Sequence, residues 1–297
     1  MSDLPAIRRP IVLACGIARF DAMRESIAKV LKPTGISFAD SRHYFKGIKS
    51  HLEADGHQVF HTKVSFAAGV ETRAQQLADQ INAILAESGA AQVDLIAHSM
   101  GGLDARHMIV GVDGMSNKIH SLTTIGTPHK GSTMADYMLE NGLADWVVAF
   151  RKIIDLDGVH DLTTAACQAF NEKAEASEAV NDIIYSTWSS ASHEVFRPLK
   201  SASEVITEAE GPNDGLVSVA SQQWKPVLIG PTDKIVRQRQ FPFPADHLNQ
   251  LGWWGPPSWD APFHSLSVIS EWKKKFRETE QQVKDLYLRI ADELSGL

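Results

Sequence analysis

The chain has 297 residues, of which 43% are hydrophobic and 22% charged. That is enough apolar sequence to bury one large core, and no stretch is polar enough to read as a long disordered tail. A formal net charge of -7 supplies no electrostatic reason to expect nucleic acid as a partner and favours a neutral or weakly polar substrate.

At the N-terminus, Arg8-Arg9-Pro10 leads into Ile11-Val12-Leu13-Ala14 and then Cys15, an order that superficially imitates a lipoprotein leader. The apolar run falls short of the ~7 to 15 residues such a leader needs. No run of ~18 apolar residues occurs, so nothing reads as transmembrane. As written, the chain reads as soluble and cytoplasmic. Cys15 and Cys167 are its two cysteines, far from the density of a disulfide scaffold, and a bridge between them is not expected.

Ile11 to Ala14, between Pro10 and Gly16, has the continuous apolar pattern of a strand buried on both faces. Gln58 to Phe60 reads as another short strand. Ala74, Leu77, Ala78, Ile81, Ile84 and Leu85 recur at spacings of three and four, one face of a helix that ends near Ser88-Gly89. Gln92 to Ala97 is then a strand, Met100 to Val110 a helix, and Ile119 to Ile125 a strand. Strands alternating with helices predict an α/β fold with a mostly parallel sheet flanked by helices.

From Gly131 to Glu210 the pattern turns helical and loop-like, with no clear strand. Met134, Met138, Trp146, Val147, Phe150, Ile153 and Ile154 suit one or two amphipathic helices, and Leu162 to Phe170 another. Two readings fit: helices packed at the sheet edge, or a lid or cap insertion over a lipid-binding cleft within a single domain spanning 1–297. The closing helix carries Ile269, Trp272, Phe276, Val283, Leu286 and Ile290 at near-heptad spacing, most simply a stripe packed on the body and alternatively a dimer seam.

Val93 to Ala97 runs into His98-Ser99-Met100-Gly101-Gly102 and then a helical pattern. A serine at such a strand-turn-helix elbow is held strained with its hydroxyl exposed, and the positions two before and two after it must be small. Here they are Ala97 and Gly101. An ordinary helix N-cap would account for the serine alone, but not for Ala97, Gly101 and Gly102 around it, so Ser99 is the candidate nucleophile.

In hydrolases with such an elbow the acid and then the base follow the serine along the chain. Two later histidines compete. His247 lies in the loop Pro244-Ala245-Asp246-His247-Leu248-Asn249-Gln250, whereas His264 opens the last helix and reads as a surface or capping residue. Asp214, in Asn213-Asp214-Gly215-Leu216-Val217, is the candidate acid. A plain Asp-Gly turn is its bland explanation, and Asp246 competes with it, although sequence neighbours seldom aim their side chains at each other. An oxyanion hole needs two backbone N–H groups, for which Met100 and Ile17 are the candidates, with Gly16 allowing close approach.

Taken together, Pro10 to Asp21, Arg73 to Leu77, Val93 to Arg106, Thr123 to Ser132, Asn213 to Val217 and Asp246 to Gln250 resemble the bacterial triacylglycerol lipases of the α/β-hydrolase superfamily. The resemblance covers most of the chain except 131–210 and the last helix. It implies a carboxylic ester substrate with an acyl chain, a glyceride above all, with water as second substrate, possible action at a lipid–water interface, and a secreted location as the alternative to the cytoplasm. His129, in Thr-Pro-His-Lys-Gly-Ser, is then structural. Two departures stand out. Cys15-Gly16 replaces the family's His-Gly, and Asn249 stands where many relatives use an aspartate to bind calcium. A neutral amide is a poorer ligand for a hard cation, so no cofactor and no calcium are expected. Rival readings are a short-chain carboxylesterase, a phospholipase or acyltransferase on the same three residues, and a binding module without catalysis.

Overall fold

A computed structural model describes residues 9–16, 43–65, 68–140, 158–253 and 266–297. Its strands are β1 (Ile11–Ala14), β2 (Val59–Thr62), β3 (Val93–His98), β4 (Ile119–Ile125), β5 (Ile184–Ser189), β6 (Val227–Leu228), β7 (Lys234–Ile235) and β8 (Arg237–Gln240). Six form one sheet in the order β2-β1-β3-β4-β5-β8, every neighbouring pair parallel. β6 and β7 make a separate antiparallel pair.

The unbroken apolar run of β1 follows from burial of both sheet faces; β3 is buried as fully, with Asp94 satisfied by Ser121 Oγ at 2.6 Å and His120 Nδ1 at 2.9 Å. Ile11, Leu13 and Ile96 point to one face, where they meet α1 (Ile48–Ala54) and the C-terminal α8 (Leu266–Ser295). Val12, Ala14, Leu95 and Ala97 point to the other, against α2 (Val70–Ser88) and α3 (Met100–Gly111). The three-four spacing read in 74–85 is the buried face of α2, and the helix stops at Gly89, whose φ of 70° is a left-handed cap. On α8, Val283, Leu286, Tyr287, Ile290 and Leu294 are buried in the chain's own core, so this part of the stripe serves intramolecular packing.

Between α3 and β8 lie α4 (Thr133–Glu140), α5 (Thr164–Val180), α6 (Lys200–Glu210) and the single turn α7 (Val219–Gln222). The stretch 131–210, expected to hold no strand, contains β5, which sits between β4 and β8 in the sheet. Its inward positions are Tyr185, Thr187 and Ser189, so hydropathy does not alternate along it. The hydroxyls are satisfied locally: Thr187 Oγ1 donates to Gln222 O at 2.7 Å, and Ser186 pairs with Thr123 at 2.8 Å. Trp146, Val147, Phe150, Ile153 and Ile154, read as helix or lid, lie outside the described residues, as do Ile17 and His264.

Both cysteines are free thiols. Among the described residues no helix is long and apolar enough to cross a membrane.

Candidate active site

The elbow forms where β3 ends and α3 begins. Ser99 has φ 56° and ψ -136° and is the one non-glycine residue with positive φ among the described residues. Such a conformation costs on the order of 1–3 kcal/mol and persists only when its surroundings over-determine it. Here they do. Ser99 N–H donates to Ile125 O at 2.9 Å, and its carbonyl accepts from Gly102 N at 3.0 Å and from Thr127 Oγ1 at 2.8 Å. The tight turn also brings Gly101 against β1, where an added Cβ would stand 2.5 Å from Cys15 O, which is why a small residue is needed two places after the serine.

The hydroxyl that this turn presents is 2.8 Å from Nε2 of His247. Nδ1 of the same ring is 2.7 Å from Oδ2 of Asp214. Asp214 is held by its own turn: its N–H bonds Val217 O, its Oδ1 accepts from the N–H groups of Leu216 (3.0 Å) and Val217 (2.8 Å), and its carbonyl accepts from His247 N–H at 2.8 Å. The three side chains expected from the sequence thus form one continuous hydrogen-bonded line from loops far apart in the chain.

The competitor Asp246 is used otherwise. Its Oδ1 accepts from the N–H groups of Leu248 and Asn249, and its Oδ2 from Phe196 N. It caps the turn that carries His247, and burial pushes its carboxyl up to about 6. His129 is also occupied elsewhere. Its Nε2 pairs with Thr124 Oγ1 at 2.9 Å, its Nδ1 faces Arg106 at 3.3 Å, and its ring stacks on Trp224. Burial lowers its basicity well below the ordinary imidazole value, consistent with a structural part.

Of the two candidate oxyanion donors, Met100 is the first residue of α3, where backbone N–H groups lack partners inside the helix. Ile17 lies outside the described residues. Its neighbour Gly16 lies against the serine: a Cβ there would sit 2.7 Å from Ser99 Cβ. Cys15, next in line, is no rival nucleophile, since burial pushes its thiol up to about 12 and Sγ donates to Thr62 O at 3.3 Å.

Two residues to which sequence reading assigned no role join this line. Gln250 Nε2 is 2.8 Å from Asp214 Oδ2, and Gln250 Oε1 is 2.8 Å from Nε2 of the buried His98. Both were visible only as neighbours of motif residues.

The loop that follows His247 is tied by its own hydrogen bonds. Asn249 Oδ1 accepts from Asp246 N at 3.1 Å, and its Nδ2 donates to Trp253 O at 2.7 Å. Asp246 accepts from three further N–H groups of this region.

Above Ser99 a narrow apolar cleft opens between α4 and the turn after Asp214, walled by Met134, Met138, Val159, Leu162, Leu216 and Val217. It is placed to receive an apolar group attached to an atom under attack by Ser99.

The sequence and the fold have recognisable relatives. Residues 60–197 match the family described as PGAP1-like alpha/beta domain. The chain is 32% identical over 266 residues to triacylglycerol lipase 2 of Saccharomyces cerevisiae, covering 85% of this chain and 73% of that one. Over 250 residues it is 30% identical to a triacylglycerol lipase of Vibrio cholerae, covering 72% and 73% respectively. EstA from Clostridium botulinum shares the fold with a TM-score of 0.64 and 18% identity, over 100% of this chain and 89% of that one. A parallel sheet flanked by helices, a strained serine at the β3–α3 turn and identity of this extent to two lipases agree on one assignment: the chain belongs to the triacylglycerol lipase family of the α/β-hydrolase superfamily and is a carboxylic ester hydrolase of the serine type.

Proposed function

We propose that the chain hydrolyses acylglycerols, with Ser99 as nucleophile, His247 as general base and Asp214 as the acid that orients the base. The observation that carries this reading is the hydrogen-bonded line Ser99 Oγ, His247 Nε2, His247 Nδ1, Asp214 Oδ2, at 2.8 and 2.7 Å. His247 takes the hydroxyl proton as Oγ bonds to the ester carbonyl carbon, and Asp214 accepts from Nδ1–H and so stabilises the imidazolium that forms. The carbonyl oxygen becomes an oxyanion, to which Met100 N–H and Ile17 N–H donate. As the tetrahedral intermediate collapses, His247 returns the proton to the departing alkoxide, leaving an acyl-Ser99. Water, deprotonated by His247, then releases the fatty acid.

The acyl chain lies in the cleft beside Met134 and Met138, whose unbranched thioether side chains adapt to chains of different length. On this reading α4, which forms one wall, belongs to a cap within 131–210 whose movement at a lipid–water interface admits a long-chain substrate. The name triacylglycerol lipase borne by the two relatives and the apolar lining of the cleft favour glycerides over short, soluble esters. No calcium is required, since Asn249 and Asp246 already close the loop after the base.

The test is the rate of hydrolysis of a long-chain triglyceride and of tributyrin, each below and above its solubility limit, with Ser99→Ala as the blank. The lipase reading expects a rise in rate once an interface forms. Smooth saturation on soluble short esters, with no long-chain activity, would make the chain a short-chain carboxylesterase.

A further inference from the structure

Behind the acid, the hydrogen-bond donors can be counted atom by atom. Ser190 Oγ donates to Ala245 O at 2.8 Å, so it can only accept from Gln250 Nε2, 2.7 Å away. The second Nε2 hydrogen of Gln250 reaches Asp214 Oδ2 at 2.8 Å, which brings the carboxylate to four N–H donors: Leu216, Val217, His247 and Gln250. The amide oxygen then faces His98 Nε2 at 2.8 Å and must accept from it. His98 Nδ1, left with its lone pair, accepts from the Tyr44 hydroxyl at 2.8 Å.

Both ends of this chain stay in the required state. Burial, followed by the charge on His247, lowers the basicity of His98 well below the ordinary value, and burial keeps the Tyr44 phenol protonated. His98 is therefore a neutral ring packed 4.5 Å from the His247 ring, a neighbour that does not repel the imidazolium. The fold also reserves the space for the amide: a Cβ at Gly126, where φ is 58°, would stand 2.1 Å from Gln250 Oε1.

We propose that Gln250 is a positioning residue of this hydrolase, fixing Asp214 Oδ2 against His247 through one amide hydrogen while its oxygen fixes the tautomer of His98 behind Ser99. The proposal rests on the reading of Ser99, His247 and Asp214 given above. Without the amide, the Asp214 carboxylate keeps its two backbone donors on Oδ1 but is free to turn Oδ2 away from Nδ1. Misplacement of a reacting group by about 1 Å costs up to about 100-fold in rate.

The experiment compares Gln250→Met, which keeps the length and removes the amide, with Gln250→Glu, on a soluble nitrophenyl ester from pH 5 to 9, with near-ultraviolet circular dichroism to measure the folded fraction. Gln250→Met is expected to lower kcat roughly 10- to 100-fold with KM within about twofold. Gln250→Glu places a second carboxyl against Asp214, with His98, His247 and Asp246 as the other titratable neighbours. Protonated, it donates to Oδ2; ionised, it repels it, so activity should fall with rising pH where the parent's does not. Wild-type kcat and pH profile in both variants, or a loss matching the unfolded fraction alone, overturns the proposal. If Gln250→Met does not fold, the pH profile of Gln250→Glu decides. Fluorophosphonate labelling of the parent at Ser99 separates the two claims. A labelled parent with indifferent Gln250 variants sinks the positioning role alone, whereas a parent that turns over without labelling at Ser99 sinks the reading beneath it.

Discussion

Arg106 donates from Nε and Nη2 to the two carboxylate oxygens of Glu178, at 2.8 and 2.9 Å, with both side chains almost wholly shielded from water. The guanidinium also donates from Nη1 to Asn171 at 2.8 Å and lies 4.0 Å from the centre of the Trp224 ring. This cation ties α3, which begins just after the elbow serine, to α5 across the sheet face. Breaking one side of a buried pair strands the other charge, typically at a cost of about 3–5 kcal/mol. Glu178→Gln should therefore lose stability of that order in chemical denaturation while the remaining folded enzyme keeps its kcat. A change in kcat with stability intact would mean the pair acts on the site itself.

Met138 lines the cleft above Ser99 and is buried on α4. Met138→Trp fills part of that volume with a rigid ring. Activity on decanoate and longer esters should fall by roughly 10-fold or more, on the scale of about 1–3 kcal/mol for added bulk in a packed site, while butyrate hydrolysis changes little. Profiling nitrophenyl esters of increasing chain length reads this directly. An unchanged chain-length profile would put the acyl chain elsewhere.

The thiols of Cys15 and Cys167 are both pushed up to about 12 by burial. The thiolate is the reactive form, and at pH 8 a thiol titrating near 12 is ionised to about one part in ten thousand. Iodoacetamide at pH 8 should thus leave the native chain unmodified and fully active, and should modify both cysteines after denaturation. As pH rises towards 12 reactivity should grow, since the charged form gains population on that side. Rapid alkylation at pH 8 accompanied by inactivation would contradict the suppressed ionisation of the half-buried Cys15 beside the elbow.

What was legible in the sequence tracks the physics each signal reports. β1 is legible because a strand covered on both faces is apolar throughout, β3 and β4 because short runs rich in aliphatic and β-branched residues sit between helix signals despite the buried Asp94, Ser121, Thr123 and Thr124, and α2 because a surface helix shows its period. β5 was missed because Tyr185, Thr187 and Ser189 fill its buried side, with hydroxyls satisfied by tertiary partners that no local pattern reveals. At the site, Ser99 announced itself through the small residues its elbow needs. Asp214 and His247 were legible as turn residues in the right order. Gln250 and His98 were not. Their parts depend on which atom faces which, and a glutamine three residues after a histidine looks the same whether or not its amide meets a carboxylate.

Covalent trapping identifies the residue that attacks the ester, for which Ser99 is the candidate. The folded chain is treated with a fluorophosphonate, and the modified residue is mapped by peptide mass spectrometry, alongside Ser99→Ala and His247→Gln. A single phosphonyl adduct on Ser99 is expected, formed in step with loss of esterase activity, absent in Ser99→Ala and strongly slowed in His247→Gln. An adduct on another residue, or esterase activity that survives in Ser99→Ala, would contradict that assignment.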